Sequence, residues 1–311
     1  MPLYLVTGGA GFIGSHLTEE LIRRGEQVRV VDSLITGHRK NLAHLTGIDF
    51  REGDLADLAV AKRAVEGVDY VLHQAAIPSV PRSVEDPITS NRANIDSTLN
   101  VLVAARDAKV KRVVYAASSS AYGNTPMLPK QEDMPPHPLS PYALQKLVGE
   151  QYMQLFTTLY GLETVSIRYF NVFGPRQDPS SAYSGVISVF AKALLENRAP
   201  TIHGDGEQTR DFTYVANVVD GVLRAVKAPG ASGHVVNVAT GTRISLNQLF
   251  ASMRELVGSR VDVAYGPPRN GDVKDSLADI TRARALLGYE PLVSFEAGLK
   301  KTIDWYRSGT N

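Results

Sequence analysis

The stretch Thr7-Gly8-Gly9-Ala10-Gly11-Phe12-Ile13-Gly14 decides the fold, because it joins an apolar run to a helical pattern. The apolar run predicts a buried strand, and the pattern from Phe12 to Arg24 predicts a helix. Gly8 and Gly11 allow a tight turn and let the backbone approach a pyrophosphate, which the helix N-terminus stabilises. Gly14 permits close packing of helix on strand. This strand–turn–helix context indicates a dinucleotide site, and we assign Phe12 and Ile13 to it as well.

Short apolar runs alternate with helical stretches through the first half of the chain. Near-continuous apolar runs are typical of strands covered on both faces. Alternation with helices favours an α/β fold with a doubly wound parallel sheet of the Rossmann type. The predicted strands are Leu3 to Thr7, Gln27 to Val31, Asp49 to Glu52, Tyr70 to Gln74, Val113 to Ala117 and Val165 to Arg168, and the further predicted helices are Leu58 to Val65, Thr89 to Ala108 and Tyr142 to Tyr160.

After about Gly174 the pattern changes to shorter strands, helices and turn residues. We therefore predict a dinucleotide-binding Rossmann domain over residues 1–174 and a smaller C-terminal α/β substrate lobe over residues 175–311. Segments near 211–240, notably His234 to Val238, are expected to return to the main sheet.

Acidic and small residues at the predicted strand ends indicate which dinucleotide binds. Asp32 closes the second strand, where a carboxylate accepts hydrogen bonds from the adenosine ribose and repels a 2′-phosphate. NAD is therefore favoured over NADP. Asp54 and Leu55 end the third strand, where an acid can meet the adenine amino group. Ala75 and Ala76 end the fourth, where small side chains leave room for the cofactor.

Tyr142 and Lys146 lie one helical turn apart at the head of a predicted helix. A tyrosine has a pKa near ~10, so a neighbouring ammonium is needed to favour its phenolate at neutral pH. Ser118 begins a serine run at the end of the fifth strand, where doubly wound sheets bind ligands. Its hydroxyl can hydrogen-bond a reacting oxygen and pass a proton to the tyrosine. No G-x-S-x-G elbow surrounds the run, so a serine hydrolase is excluded.

The composition of the 311 residues excludes several other classes of protein. A formal net charge of +1 gives no field to attract nucleic acid or an anionic membrane. No apolar window reaches the length of a membrane span, and we expect no leader segment at the N-terminus. The chain has no cysteine, which excludes disulfides and fits the cytoplasm. The seven histidines show no metal-ligand spacing, so we predict no metal site and interpret His73 as a core residue.

Together these motifs resemble the extended short-chain dehydrogenases, the NAD-dependent sugar-nucleotide epimerases and dehydratases. The resemblance covers essentially the whole chain, and it is closest to the bacterial UDP-N-acetylglucosamine 4-epimerases. It rests on HQAAIPSVPRSVEDPITSN, AARDAKV, YAASSSAYG, PLSPYALQK, RYFNVFGPRQDP and GDVKDSLADI.

The resemblance implies further site residues. At the cofactor these are Gln74, Asn94, Lys146 and Tyr169. In the substrate lobe, Arg210 and Arg269 correspond to positions that contact the diphosphate, and arginine suits phosphate because its planar fork donates paired hydrogen bonds. The full set implied for the UDP-sugar is Ser79, Ser119, Ser120, Asn171, Arg210, Arg269, Asp272 and Ser276.

The implied reaction is 4-epimerisation of a UDP-hexose. Tyr142, assisted by Ser118, removes the 4-hydroxyl proton while a hydride leaves C4 for NAD; the transient 4-keto sugar turns over and the hydride returns to its other face. Dehydratases of the family carry Asp-Glu where this chain has Ser119-Ser120, and the related decarboxylases keep a glutamate at the second position, so neither chemistry is expected here.

The expected substrates are UDP-N-acetylglucosamine and UDP-N-acetylgalactosamine, and UDP-glucose and UDP-galactose remain open. Ser276 matches a position where a bulky tyrosine would exclude an N-acetyl group. The alternatives are a UDP-glucuronate 4-epimerase and, in a different class, a catalytically silent NAD-binding sensor. The resemblance also implies a homodimer paired through the helices Thr89 to Ala108 and Tyr142 to Tyr160.

Overall fold

The central feature of the protein is a parallel sheet, seen in a computed structural model that describes residues 1–179, 185–268 and 274–309. Its inner strands are buried along nearly their whole length, as expected for a sheet covered on both faces. The strands of the described residues are β1 (Leu3–Thr7), β2 (Gln27–Asp32), β3 (Ile48–Glu52), β4 (Tyr70–His73), β5 (Arg112–Ser118), β6 (Glu163–Tyr169), β7 (Val172–Phe173), β8 (Thr201–His203), β9 (Thr209–Arg210), β10 (Thr213–Tyr214), β11 (Val235–Val238), β12 (Ile244–Ser245) and β13 (Ala264–Gly266).

The main sheet has the strand order β11-β6-β5-β4-β1-β2-β3, and all neighbouring strands are parallel. The chain adds β2 and β3 on one side of β1 and then returns to add β4 on the other side. This reversal leaves a crevice beyond the carboxyl ends of β1 and β4, where such sheets bind ligands. The predicted doubly wound sheet is confirmed.

Helices cover both faces of this sheet. Helices α2, α5 and α6 pack over one face, and α1 and α8 pack over the other. The helices of the described residues are α1 (Phe12–Arg23), α2 (Leu58–Val65), α3 (Val80–Glu85), α4 (Pro87–Asn91), α5 (Ser97–Asp107), α6 (Pro141–Tyr160), α7 (Val186–Leu195), α8 (Val215–Lys227), α9 (Leu246–Val257), α10 (Thr281–Leu287) and α11 (Phe295–Arg307).

The helix predicted from Thr89 to Ala108 differs from the observed one. A π-helical turn over Arg92–Asp96 separates α4 from α5. The hydroxyl of Thr98, at the start of α5, donates at 2.6 Å to the Asn94 carbonyl oxygen of this turn, which competes with the regular backbone hydrogen bonds. A π turn changes the helical period over a single turn only. A pattern of period 3.6 read over the whole stretch therefore does not reveal it.

The C-terminal part is built from helices and very short strand pairs. β7 pairs with β10, β8 with β13, and β9 with β12, while α7, α9 and α11 pack together. The aromatic rings of Phe173, Phe212 and Phe295 lie within 6.4 Å of one another and belong to the same core as the α1–α8 face of the sheet. β11 pairs with β6, so residues near 235–238 lie in the main sheet. The division into domains at residue 174 stays a prediction.

Within the ranges that the structure describes, no helix is long and apolar enough to cross a membrane.

Candidate active site

A cavity of about 1160 Å³ lies beyond the carboxyl ends of the strands, between the sheet and the C-terminal lobe. It brings together residues from the first turn, five further strand ends, α6 and the lobe. The predicted site residues that line it are Gly8, Gly11, Phe12, Ile13, Gly14, Asp32, Asp54, Leu55, Gln74, Ala75, Ala76, Ser118, Ser119, Ser120, Tyr142, Lys146, Tyr169, Asn171, Arg210 and Ser276.

At two of its glycines the turn lies too close to neighbouring backbone atoms to hold a side chain. Gly8 has φ +65°, and a Cβ atom there would lie 2.8 Å from the backbone nitrogen of Ala75. A Cβ atom at Gly14 would lie 2.2 Å from the Gly8 carbonyl oxygen. The turn therefore presents backbone to the cavity at the start of α1, which is the arrangement that accepts a pyrophosphate.

Asp32 fixes the end of β2 to the glycine turn. Its carboxylate accepts hydrogen bonds from the backbone nitrogens of Ala10 and Leu34, at 2.9 and 2.8 Å. Burial raises the pKa of Asp32, and these two hydrogen bonds oppose the rise. The carboxylate is thus held at the cavity wall, where it fits a ribose diol.

Gln74 and Tyr169 meet across the ends of β4 and β6. The Tyr169 hydroxyl donates to Gln74 Oε1 at 2.8 Å, which leaves the amide nitrogen Nε2 buried without a hydrogen-bond partner. A buried unpaired donor is unusual in a native protein. Because both residues line the cavity, the unpaired donor fits a polar group of a bound cofactor.

Tyr142 and Ser118 both line the cavity, and the Ser118 hydroxyl acts on the Tyr142 phenol. The Ser118 Oγ also accepts hydrogen bonds from the backbone nitrogen and the hydroxyl of Ser120, at 3.2 and 2.8 Å. Burial raises the pKa of Tyr142 to about 12, and the Ser118 hydroxyl opposes this rise. A phenol with this pKa is not a base at neutral pH, so it requires a positive charge beside it.

Lys146 is the basic residue one helical turn after Tyr142 on the same face of α6. Its Nζ donates to the Ala116 carbonyl oxygen at 2.8 Å and lies 4.9 Å from the ring centre of Tyr115. Burial lowers the pKa of Lys146 to about 7, and the carboxylate of Glu150 opposes this change. The catalytic trio predicted from the sequence is thus assembled in one place.

The opposite wall, called the lobe wall below, consists of Asn171 beside β7 and of Arg210 and Ser276 from the C-terminal lobe. Asn171 Nδ2 lies 3.5 Å from the Ser276 hydroxyl and donates to the Asp211 carbonyl oxygen at 3.1 Å. The backbone nitrogen of Ser276 donates to the carbonyl oxygen of Thr209 at 3.0 Å, which places Ser276 beside β9. A small hydroxyl therefore occupies the position where the sequence suggested space beside the sugar.

Asp211 lies behind this wall and connects its parts by hydrogen bonds. Its fully buried carboxylate accepts hydrogen bonds from the backbone nitrogens of Thr240, Gly241 and Ala278, and from the Thr240 hydroxyl. One side chain thereby joins the residues after β9, the loop after β11 and the segment that follows Ser276.

Comparison with known proteins now decides the family. The model of the NAD dependent epimerase/dehydratase family matches residues 4–239. The chain belongs to this family. Its cofactor is NAD, as the glycine turn and Asp32 predict, and its residues fit that cofactor.

Three proteins illustrate how similar this epimerase/dehydratase family member is to its relatives. A putative UDP-glucose 4-epimerase of Methanocaldococcus jannaschii is 40% identical over 310 residues, covering 98% of this chain and 99% of that protein. The structure of UDP-glucose 4-epimerase from Thermotoga maritima with UDP-glucose has a TM-score of 0.95 and 39% identity, covering 99% of this chain and 100% of that one. The structure of UDP-N-acetylglucosamine 4-epimerase from Methanobrevibacter ruminantium M1 in complex with UDP-N-acetylmuramic acid has a TM-score of 0.94 and 38% identity, covering 99% and 98%.

Two predicted site residues of this family member do not line the cavity. Asn94 is buried, and its amide accepts from the Ile77 nitrogen and donates to Gln145 Oε1, both at 2.8 Å. Ser79 caps α3 by accepting from the Arg82 nitrogen at 3.2 Å. The contacts that the structure gives these side chains are internal, so direct ligand contacts at both positions stay predictions. Arg269 and Asp272 lie outside the described residues.

His73 is a core residue, as interpreted from the sequence. Its ring nitrogens lie 2.8 and 3.0 Å from the hydroxyls of Thr7 and Thr98. Burial, with a smaller contribution from Lys146, lowers the pKa of His73 to about 3, so the ring is neutral at physiological pH.

Sequence reasoning missed a contact that positions the catalytic helix. Ser83 is fully buried, and its hydroxyl accepts a hydrogen bond from the Tyr142 backbone nitrogen at 3.0 Å. The same hydroxyl donates to the Val80 carbonyl oxygen at 2.7 Å, and Val80 lines the cavity. No local pattern signals this contact, because its partners lie 59 residues apart.

Proposed function

We propose that this protein inverts C4 of UDP-N-acetylglucosamine and UDP-N-acetylgalactosamine. The relatives are named as UDP-sugar 4-epimerases, which are NAD-dependent isomerases. The observation that supports an N-acetylated substrate is the small side chain of Ser276, which lies on the cavity wall beside Asn171.

The chemistry that NAD supplies when bound is reversible oxidation of a carbon that bears a hydroxyl. The residues of this chain manage the proton and the orientation. Tyr142 takes the proton of the 4-hydroxyl, and Ser118 hydrogen-bonds the same oxygen and relays the proton. The Lys146 ammonium favours the phenolate form of Tyr142. Arg210 holds the diphosphate, so that the 4-keto sugar can turn over about this tether before C4 is reduced on its other face.

Ser276 supports a pocket that accepts an N-acetyl group. Its hydroxyl lies 3.5 Å from the amide of Asn171, and both residues face the cavity. A larger side chain at this position would occupy the volume beside the sugar. Space admits a large substituent but discriminates weakly against a smaller one, so UDP-glucose and UDP-galactose are expected as additional substrates.

The deciding experiment follows the products by proton NMR. The purified protein is incubated, without added NAD, with UDP-N-acetylglucosamine, UDP-glucose or UDP-glucuronate in separate samples. We expect UDP-N-acetylgalactosamine from the first and a slower reaction with the second. Conversion of UDP-glucuronate alone would replace the proposed substrate. Absence of product from all three, even with NAD supplied, would contradict the proposal and favour a silent NAD-binding protein.

The variant Ser276→Tyr tests the residue that carries the substrate assignment. We expect it to lose most activity on UDP-N-acetylglucosamine, at least tenfold as expected for excluding a bulky group, and to keep activity on UDP-glucose. Ser276→Ala is the matched control, because it preserves the space and should retain both activities. Equal losses on both substrates in the tyrosine variant would show that Ser276 does not select the sugar.

We further infer a cytoplasmic homodimer paired through α5 and α6. Helix α6 exposes four large apolar side chains, and exposed apolar surface of this kind favours burial against a second copy of the chain. We expect Leu155→Glu with Leu159→Glu to give a monomer by light scattering, whereas Leu292→Glu, at an exposed leucine elsewhere, should not. A monomeric wild-type protein would contradict the inference. The exposed residues of α6 are Leu144, Leu155, Leu159 and Tyr160.

A further inference from the structure

A buried ion pair lies one helical turn beyond Lys146. Glu150 accepts hydrogen bonds from both Nε and Nη2 of Arg168, at 2.9 and 2.7 Å. The side chains are only 3% and 5% exposed. Two charges removed from water in this way are costly unless their positions are well determined, so the pair is weak evidence for stability by itself. Its location beside the catalytic lysine indicates another use.

Arg168 is held on its far side as well. Its guanidinium lies 4.5 Å from the ring centre of Tyr122, and the Tyr122 hydroxyl donates to Asn237 Oδ1 at 2.7 Å. Arg168 belongs to β6 and Asn237 to β11, so two adjacent strands of the sheet fix the guanidinium. Glu150 therefore has little freedom to move away from Lys146.

Burial is the main factor that disfavours the charge of Lys146. Glu150 acts on it from α6, and the centre of the Tyr115 ring, on β5, lies 4.9 Å from its Nζ. The neutral His73 lies on β4, and Tyr142 is one helical turn earlier on α6. Burial lowers the pKa of Lys146 to about 7, and the charge of Glu150 acts in the opposite direction. Among these described neighbours Glu150 is the anion, since both tyrosines have pKa values raised by burial.

We propose that Glu150, fixed by Arg168, is a positioning residue that keeps the Lys146 ammonium protonated beside Tyr142. The inference rests on the proposed roles of Tyr142 and Lys146 in epimerisation. It assigns the ion pair to the reactivity of the site rather than to the stability of the core. Glu150 does not line the cavity, so it acts through Lys146 and not on the substrate.

The test is a pH titration of the Lys146 side chain in the NAD-loaded protein. The lysines are labelled with carbon-13 at Cε, and the NMR signal of Lys146 is identified as the one that Lys146→Met removes. We expect the Lys146 midpoint to fall by about one pH unit in Glu150→Gln, the usual size of the effect of a neighbouring charge.

The sign of the shift separates the proposal from a general effect on the core. Loss of an anion that favours the ammonium lowers the midpoint, whereas loosening of the core admits water and raises it. A rise or an unchanged midpoint would overturn the proposal.

Asn217→Ala is the control for a purely structural role. Asn217 is fully buried, and its side-chain amide accepts from the Leu292 and Val293 nitrogens at 2.9 Å and donates to the Val293 carbonyl oxygen at 2.8 Å. We expect this variant to lower Tm without moving the Lys146 midpoint. An equal fall in Asn217→Ala would mean that general loosening of the core explains the result.

Two further points keep the test decisive. If Glu150→Gln alone does not fold, Glu150→Gln with Arg168→Met removes both charges; a smaller fall of the same sign is expected, and no fall overturns the proposal. The titration needs no turnover. A protein that fails to epimerise any UDP-sugar would refute the proposed function while leaving this result interpretable.

Discussion

The cavity has two walls that are built differently. The sheet wall carries Ser118, Tyr142 and Lys146 on β5, a seven-residue strand, and on α6, a helix of 20 residues. The lobe wall carries Asn171, Arg210 and Ser276. Of these, Arg210 lies on the two-residue strand β9, and the other two lie beside strands of similar length.

This difference predicts different kinetic roles for the two walls. Long elements in a shared core hold atoms to within the small tolerances that proton transfer needs. The lobe wall depends instead on hydrogen bonds that converge on Asp211, and short strands and loops are where binding specificity most readily changes. We therefore expect substitutions on the sheet wall to change kcat and substitutions on the lobe wall to change KM.

The largest effect is expected for Tyr142→Phe on the sheet wall. Removing the hydroxyl leaves no group to take the substrate proton, so kcat should fall by about a thousandfold, within the usual range for general acid–base catalysis. Bound NAD, read from the absorbance of the purified protein, should be unchanged, because the ring still fills its place in the cavity.

Tyr152→Phe is the control for this substitution. Tyr152 lies on the same helix, packs against the core on the α2–α5 side, and does not line the cavity. We expect its kinetic constants to stay within about twofold of the wild type, as for most substitutions away from a site. Full activity of Tyr142→Phe would remove the basis for a catalytic sheet wall.

The sheet wall was predictable because its signals are local. The glycine turn follows a strand directly, and Tyr142 and Lys146 are spaced by one helical turn, so short stretches of sequence specify both arrangements. Buried strands also show their apolar runs. These patterns predicted β1 to β6, the helices α1, α2 and α6 and the identity of the cofactor, but not α3.

The lobe wall was not predictable from such patterns. Asn171 and Ser276 lie 105 residues apart, and strands of two residues are too short for any alternation to show. Only resemblance to the family indicated these residues. The same physical reason hides Ser83 behind Tyr142 and Arg168 behind Glu150, because tertiary contacts join partners that carry no common local pattern.

A smaller effect is expected for Arg210→Ala on the lobe wall. Arg210 lines the cavity, and its Nη1 donates to the carbonyl oxygens of Thr209 and Lys274 at 2.9 and 3.0 Å, which orients the guanidinium. Hydrogen bonds to a charged group contribute about 1.5–3 kcal/mol, so KM for the UDP-sugar should rise about 10- to 100-fold. Steady-state kinetics should show kcat within a few-fold of the wild type.

The control and the kinetic pattern decide how far the two walls are separate. Arg243 is exposed in the same lobe and does not line the cavity, so Arg243→Ala should leave KM unchanged. If Arg210→Ala lowers kcat as much as it lowers kcat/KM, the arginine acts only in the transition state. The diphosphate contact would then orient the 4-keto sugar for its turn, and catalysis would extend across both walls of the cavity.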